Sequence, residues 1–204
     1  MKSIISFIAL VILFSNITAQ SNDRIKVSCG IMVPSSEIKG FTTNIEFEHT
    51  LSERFKIYAY TGLYTWDKNQ LVFEDKSKYY SCYNEDEHKL FPLYIGSKML
   101  ISNIKTFNIF ANLELGYNFI NYNSYEIMII KNEPDQYVSS LYTDGSTRKE
   151  MHDGFWGIGF GLNLVQSITD DVSLALEVKR NSILKSSKNI TTHYYYNAGL
   201  FISI

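Results

Sequence analysis

The sequence predicts an all-β fold, an eight-stranded antiparallel up-and-down transmembrane β-barrel, and three observations carry that prediction. Apolar and polar residues alternate with a period of two over long segments. The connections between those segments are short and long by turns, and after the first twenty positions no run of apolar residues is long enough for a membrane helix. A period of two cannot trace one face of a helix. A chain that enters lipid without a helix must close a sheet on itself, because each backbone N–H and C=O there needs a partner.

Composition bounds the alternatives. The 204 residues are 45% hydrophobic and 15% aromatic, with 11 Gly and 3 Pro, which excludes collagenous, low-complexity and charge-driven disordered chains and favours strands. A net charge of -2 gives no basic excess, so nucleic acid is not an expected partner.

The N-terminus comes first. Lys2 precedes an apolar run over residues 4–14, broken only by Ser6, and the small residue Ala19 follows. The run is about half the roughly 20 residues of a membrane-spanning helix, so residues 1–19 read as a secretory signal peptide cleaved after Ala19. No Cys follows the run to carry a lipoprotein anchor. Residues 20–204 are expected to form one barrel domain.

Eight strands are expected near residues 24–33, 41–50, 55–66, 89–101, 106–119, 154–166, 172–181 and 194–204. The first sets Ile25, Val27, Cys29, Ile31 and Val33 against Lys26, Ser28 and Gly30. The second sets Phe41, Thr43, Ile45 and Phe47 against Thr42, Asn44, Glu46 and Glu48. The third and fourth hold Lys56 and Lys98 on their polar sides, and Pro92 is placed near a strand end, where its missing donor is tolerable. The fifth is the clearest: Phe107, Ile109, Ala111, Leu113, Leu115, Tyr117 and Phe119 oppose Asn108, Phe110, Asn112, Glu114, Gly116 and Asn118. It is long for a strand of a soluble domain. The sixth sets Trp156, Ile158, Phe160, Leu162 and Leu164 against Gly157, Gly159, Gly161 and Asn163, and the seventh sets Val172, Leu174, Leu176 and Val178 against Ser173, Ala175, Glu177, Lys179 and Asn181. In the eighth, Tyr194, Tyr196, Ala198, Leu200, Ile202 and Ile204 oppose Tyr195, Asn197, Gly199, Phe201 and Ser203.

Residues 51–54, 102–105 and 167–171 are short turns; residues 67–88, 120–153 and 184–192 are longer, and 34–40 is intermediate. Short turns at one end and long loops at the other are the form of an outer-membrane barrel, with the long loops outside the cell. Tyr58, Tyr60, Tyr64, Trp66, Tyr117, Tyr122, Tyr125, Phe155, Trp156 and residues 194–196 gather near the long-loop ends, and those that face lipid are expected to form an interfacial girdle.

The chain ends with a polar residue, a Gly and two hydrophobic residues at set spacings, Asn197, Gly199, Ile202 and Ile204. With the alternation above, this resembles the eight-stranded outer-membrane barrels of the OmpA and OmpX type and the outer membrane protein β-barrel domain family. The family's last residue is usually aromatic, whereas here it is Ile204. The resemblance implies a bacterial outer-membrane location, contact with outer-membrane lipid, and recognition of the C-terminal residues by the barrel assembly machinery. It implies no particular activity.

An eight-stranded barrel is just wide enough inside for side chains to fill it. The inward set holds Lys26, Glu46, Glu48, Lys56, Lys98, Glu114, Glu177 and Lys179, balanced in sign, which points to a charge network plugging the lumen. Glu46, Glu48 and Glu177 are the alternative material for a catalytic carboxylate pair. His49, His88, His152 and His193 lack metal-ligand spacing, and none starts an H-x-S, so neither a metal, a cofactor nor lipid-A-deacylase chemistry is expected. His152 and Asp153, in the longest loop, are the best remaining acid–base pair. Cys29 and Cys82 are expected at different depths and unbridged, and the sequon at Asn189 carries no weight on a bacterial surface. Residues 125–130 and 137–142 flank a turn around Pro134, which suggests that the fifth and sixth strands continue outward as a hairpin and offer the 121–153 loop to an extracellular partner by strand addition. The expected protein is a non-enzymatic outer-membrane barrel with an occluded lumen. The alternative is a soluble lipocalin-like barrel around a small apolar ligand, though its G-x-W at Gly154 falls on the sixth strand rather than the first.

Overall fold

The alternation closes into one ring. In the computed structural model, which describes residues 23–35, 38–67, 85–130, 140–184 and 190–204, the strands are β1 (Asp23–Ser35), β2 (Ile38–Ser52), β3 (Phe55–Trp66), β4 (Glu85–Ile104), β5 (Phe107–Ile130), β6 (Ser140–Ser167), β7 (Val172–Leu184) and β8 (Ile190–Ser203). Each pairs antiparallel with its neighbour in sequence, and β1 pairs with β8 to close the barrel. All eight expected strands are present. The expected signal peptide, Cys82 and Asn189 lie outside the described residues.

The short turns close with local side-chain caps. The Phe55 N–H donates to Ser52 Oγ at 3.1 Å, and the Val172 N–H donates to Thr169 Oγ1 at 3.1 Å. Between β4 and β5 the chain reverses through Lys105, whose φ of 58° is left-handed.

One expectation is met and two are corrected. The fifth and sixth strands continue outward as a hairpin: β5 and β6 pair from Phe107↔Gln166 out to Ile130↔Ser140, across a register shift between Ser124 and Glu126, because both runs are strand-formers. Among the described residues the partners on either side pair only as far as Glu85↔Ser124 on β4 and Leu184↔Trp156 on β7, so beyond those pairs the ribbon of β5 and β6 has no further described neighbour. Pro92 lies inside β4 rather than near its end. The β3–β4 ladder passes from Thr61↔Leu93 to Tyr64↔Leu90 with no pairs between, so the proline's missing N–H falls at a break in that ladder. Finally, Tyr58, Tyr60, Tyr64 and Trp66 point into the barrel and are buried, and they belong to no lipid-facing girdle.

The outer surface is apolar. Ile95 is 66% exposed and Leu113 58%, and Val27, Phe41, Ile45, Phe160, Leu162 and Leu176 are exposed with them. Tyr117, Phe119 and Trp156 cluster outside, with Tyr117 and Phe119 centroids 5.0 Å apart and Tyr117 and Trp156 5.4 Å apart. A continuous apolar band of this extent is a lipid-facing surface, not a water-facing one. The lipocalin-like alternative, which needs the reverse distribution, is overturned.

Inside, three layers follow one another. At the short-turn end Phe110, Val165, Ala175 and Phe201 pack together; at the long-loop end Met32, Leu90, Trp66, Ile120, Ile183 and Tyr195 form a second apolar layer. The charged residues lie between.

Candidate functional site in the barrel interior and mouth

The period of two on each strand carries all eight expected lumen charges inward, and all are buried. Hydrogen-bonded register then sets their depths: Lys26 pairs with Glu46 across β1 and β2, Lys56 with Lys98 across β3 and β4, and Gly161 with Lys179 across β6 and β7. The side chains form one connected chain. Lys56 Nζ lies 2.8 Å from Glu48 Oε1, and Lys98 Nζ 2.8 Å from Glu48 Oε2 while also contacting Glu46. Lys26 bridges Glu46 at 2.7 Å to Glu177 at 3.3 Å, and Lys179 links Glu177 at 3.3 Å to Glu114 at 3.1 Å.

Two of the carboxylates also accept neutral donors, which offsets the cost of burying their charge. Glu114 accepts from the Tyr58 and Tyr60 hydroxyls at 2.6 and 2.7 Å and from Asn181 Nδ2 at 2.9 Å; Glu177 accepts from Asn112 Nδ2 at 3.1 Å. The ammonium groups lie over aromatic rings, Lys179 at 4.0 Å from the Tyr60 centroid and Lys98 at 4.7 Å from that of Tyr58. Every one of these carboxylates lies against a cation, Glu46 and Glu177 against Lys26, and Glu48 against Lys56 and Lys98.

Sequence reasoning missed several members. Arg24 donates to Glu48 at 2.6 Å and caps the network towards the short-turn end. Its parity on β1 matches that of Lys26, and the tyrosines on β3 share the parity of Lys56, so strict application of the period would have found both. Asn197 is buried and accepts from Thr42 Oγ1 at 2.7 Å, Gly199 pairs with Ser28 and Ala175, and Ile202 and Ile204 are exposed outside; the Ile204 N–H donates to the Asp23 carbonyl at 3.1 Å.

The mouth is built on an irregularity in β4. Glu87 has a φ of 47°, and its N–H donates to Asp67 Oδ1 at 3.0 Å. The register with β5 shifts between Asp86 and Lys89, while His88 stays in register with Trp66 on β3 and keeps the inward parity of Leu90, Tyr94 and Lys98. Its ring stacks between Trp66, at 4.7 Å, and Tyr122, at 5.2 Å, and Nε2 lies 3.3 Å from Glu85 Oε2. Asp86 accepts from Asn123 Nδ2 and the Tyr125 hydroxyl, each at 3.0 Å, which ties the base of the ribbon to β4. Burial and the Asp153 carboxylate, 2.9 Å away, push the Tyr122 hydroxyl up to about 12, so it stays a donor at physiological pH.

His152 and Asp153 do not form a catalytic pair. They are consecutive residues of β6 and face opposite ways, His152 exposed beside Asn121 Oδ1 at 2.9 Å and Asp153 turned towards Tyr122. Cys29 is free and exposed on the lipid-facing side. Among the described residues no cluster of three metal-ligating side chains is found.

An apolar outer band, a charged and filled interior and eight strands in simple order define the chain by fold as an eight-stranded outer-membrane β-barrel. Solved structures of that kind match it. Neisserial surface protein A superposes with a TM-score of 0.56 at 13% identity, over 89% of this chain and 96% of that one. A major outer membrane protein from Thermus thermophilus does so with a TM-score of 0.56 at 10% identity, over 89% and 99%. No protein-family model and no curated protein sequence matches the chain.

Proposed function

We propose that this is an integral protein of the bacterial outer membrane, delivered by cleavage of residues 1–19, with an occluded lumen and no catalytic activity, whose work is done by the ribbon and loops outside the cell. The observation that carries the reading is the interior: an ion-paired layer with no carboxylate left unpaired by a cation, closed by an apolar layer at each end. Such a barrel is a rigid stalk rather than a conduit or a reaction vessel. The ribbon of β5 and β6 then offers its strands to an extracellular partner, which would bind an extended backbone by strand addition. The C-terminal residues Asn197, Gly199, Ile202 and Ile204 act earlier, as the signal read by the barrel assembly machinery.

Conductance tests the closed lumen. Residues 20–204 refolded into a planar lipid bilayer should give no ion-conducting steps; steady single-channel openings would refute the occlusion.

A further inference from the structure

The lipid-facing surface is not uniform. A groove of about 640 Å³ crosses β6, β7, β8 and β1, with an apolar lining that includes Leu162, Leu164, Leu176, Tyr196 and Ile31. Its cause is local. In the row of paired residues Leu164, Leu176, Ala198 and Cys29, the last two are small and adjacent, and they lie between the bulkier Leu176 and Ile31.

Arg180 stands at the long-loop end of the same groove. It lies two residues beyond Val178, itself a groove residue, on the outward side of β7. Its register partners are Phe160 on β6 and Tyr194 on β8, both exposed aromatics, and the guanidinium lies 5.7 Å from the Phe160 centroid. Among the described residues no carboxylate pairs with it, although the lumen shows how readily this chain pairs its cations. An arginine on the lipid side of a barrel costs about 2–4 kcal/mol at the midplane and falls towards zero at the interface, where it reaches phosphate. Five donors in a planar fork suit a phosphate oxygen pair, and the flanking rings suit the headgroup level.

We infer that this face binds one phosphate-bearing acyl lipid of the outer leaflet, with its phosphate on Arg180 between Phe160 and Tyr194 and an acyl chain in the groove over Ala198 and Cys29. The inference rests on the membrane reading above. From Leu176 to Arg180 the strand rises about 13 Å, which suits a chain below and a headgroup above.

Native mass spectrometry of residues 20–204, refolded in non-ionic detergent and titrated with dioleoylphosphatidylglycerol, tests it. The expected result is one saturable lipid adduct, about ten-fold weaker in Arg180→Gln, as loss of a charge-assisted contact predicts. It should weaken similarly in Ala198→Phe, which fills the groove, and millimolar inorganic phosphate should not displace it. Cys29→Phe fills the same groove and gives the reading if Ala198→Phe does not fold. Equal lipid retention by wild type and both variant types would overturn the proposal. So would displacement by inorganic phosphate with no effect of groove filling, which would leave a free-phosphate site. A protein dimer abolished by Ala198→Phe would overturn it in favour of a second copy in the groove. A heat-modifiable band on a denaturing gel is read for each sample, so a wild type without that band would refute the membrane reading instead.

Discussion

Tyr94 on β4 and Gly157 on β6 share one space: a Cβ on Gly157 would run into the Tyr94 hydroxyl, across the intervening strand β5. The same ring lies against Gly116 on β5, and a Cβ on Gly96 would fall 2.6 Å from Tyr58 Cζ. The inward glycines are therefore the floor on which the lumen tyrosines lie. Tyr94 is held there by Asn118 Nδ2, which donates to its hydroxyl at 2.8 Å. Gly157→Ala should destabilise the barrel by about 1–3 kcal/mol, the usual cost of overpacking. In Gly157→Ala/Tyr94→Leu the two losses should be less than additive. Urea unfolding in detergent, followed by tryptophan fluorescence, measures both; strict additivity would show that the two residues do not share the space.

Lys98 joins Glu46 and Glu48 in the middle of the network. Lys98→Met leaves two buried carboxylates short of a cation and should cost about 3–5 kcal/mol. Adding Glu46→Gln should recover part of that loss, since it removes one of the stranded charges. A double variant less stable than Lys98→Met, in the same urea assay, would contradict this account of the interior.

Lys105 bears the left-handed backbone conformation of the β4–β5 turn. Such a conformation costs an L-residue about 1–2 kcal/mol, and glycine avoids it while losing more chain entropy on folding. Lys105→Gly should therefore be neutral or stabilising by up to about 1 kcal/mol, whereas β-branched Lys105→Val should be destabilising. The order of the three unfolding midpoints checks the turn.

Among the described residues the outer ribbon makes no ladder with β4 beyond Ser124 or with β7 beyond Trp156. Replacing residues 126–147 by a short Asn-Gly turn should leave the barrel folded with an unchanged heat-modifiable band, and should abolish the binding of an extracellular protein partner by cells that display it. Binding retained by the truncated chain would move the partner site to another loop.

What the sequence made legible follows from where its signal lies. A period of two fixes the face of every residue on a strand, so the alternation alone assigns the eight lumen charges to the interior. Tyr58, Tyr60, Tyr64 and Trp66 look like interfacial aromatics by chemical type, but their parity with Lys56 places them inside. The groove is not legible, since it depends on Ala198 and Cys29 meeting across the barrel closure, a register between the first and last strands. In the mouth, the parity of His88 with Leu90, Tyr94 and Lys98 already places its ring inside, whereas the left-handed Glu87 and the register shift beside it have no signal in the alternation. His152 and Asp153 show the same point in reverse: adjacency suggested a pair in a loop, and the strand separates them.

The chain folds as a barrel surrounded by lipid, and heat-modifiability tests this most directly. Residues 20–204 refolded with detergent should run on a denaturing gel as a compact band when unboiled and shift on boiling, with no folded form recovered in plain buffer. A chain that is monomeric and fully folded in buffer without detergent, with the same mobility before and after boiling, would contradict it.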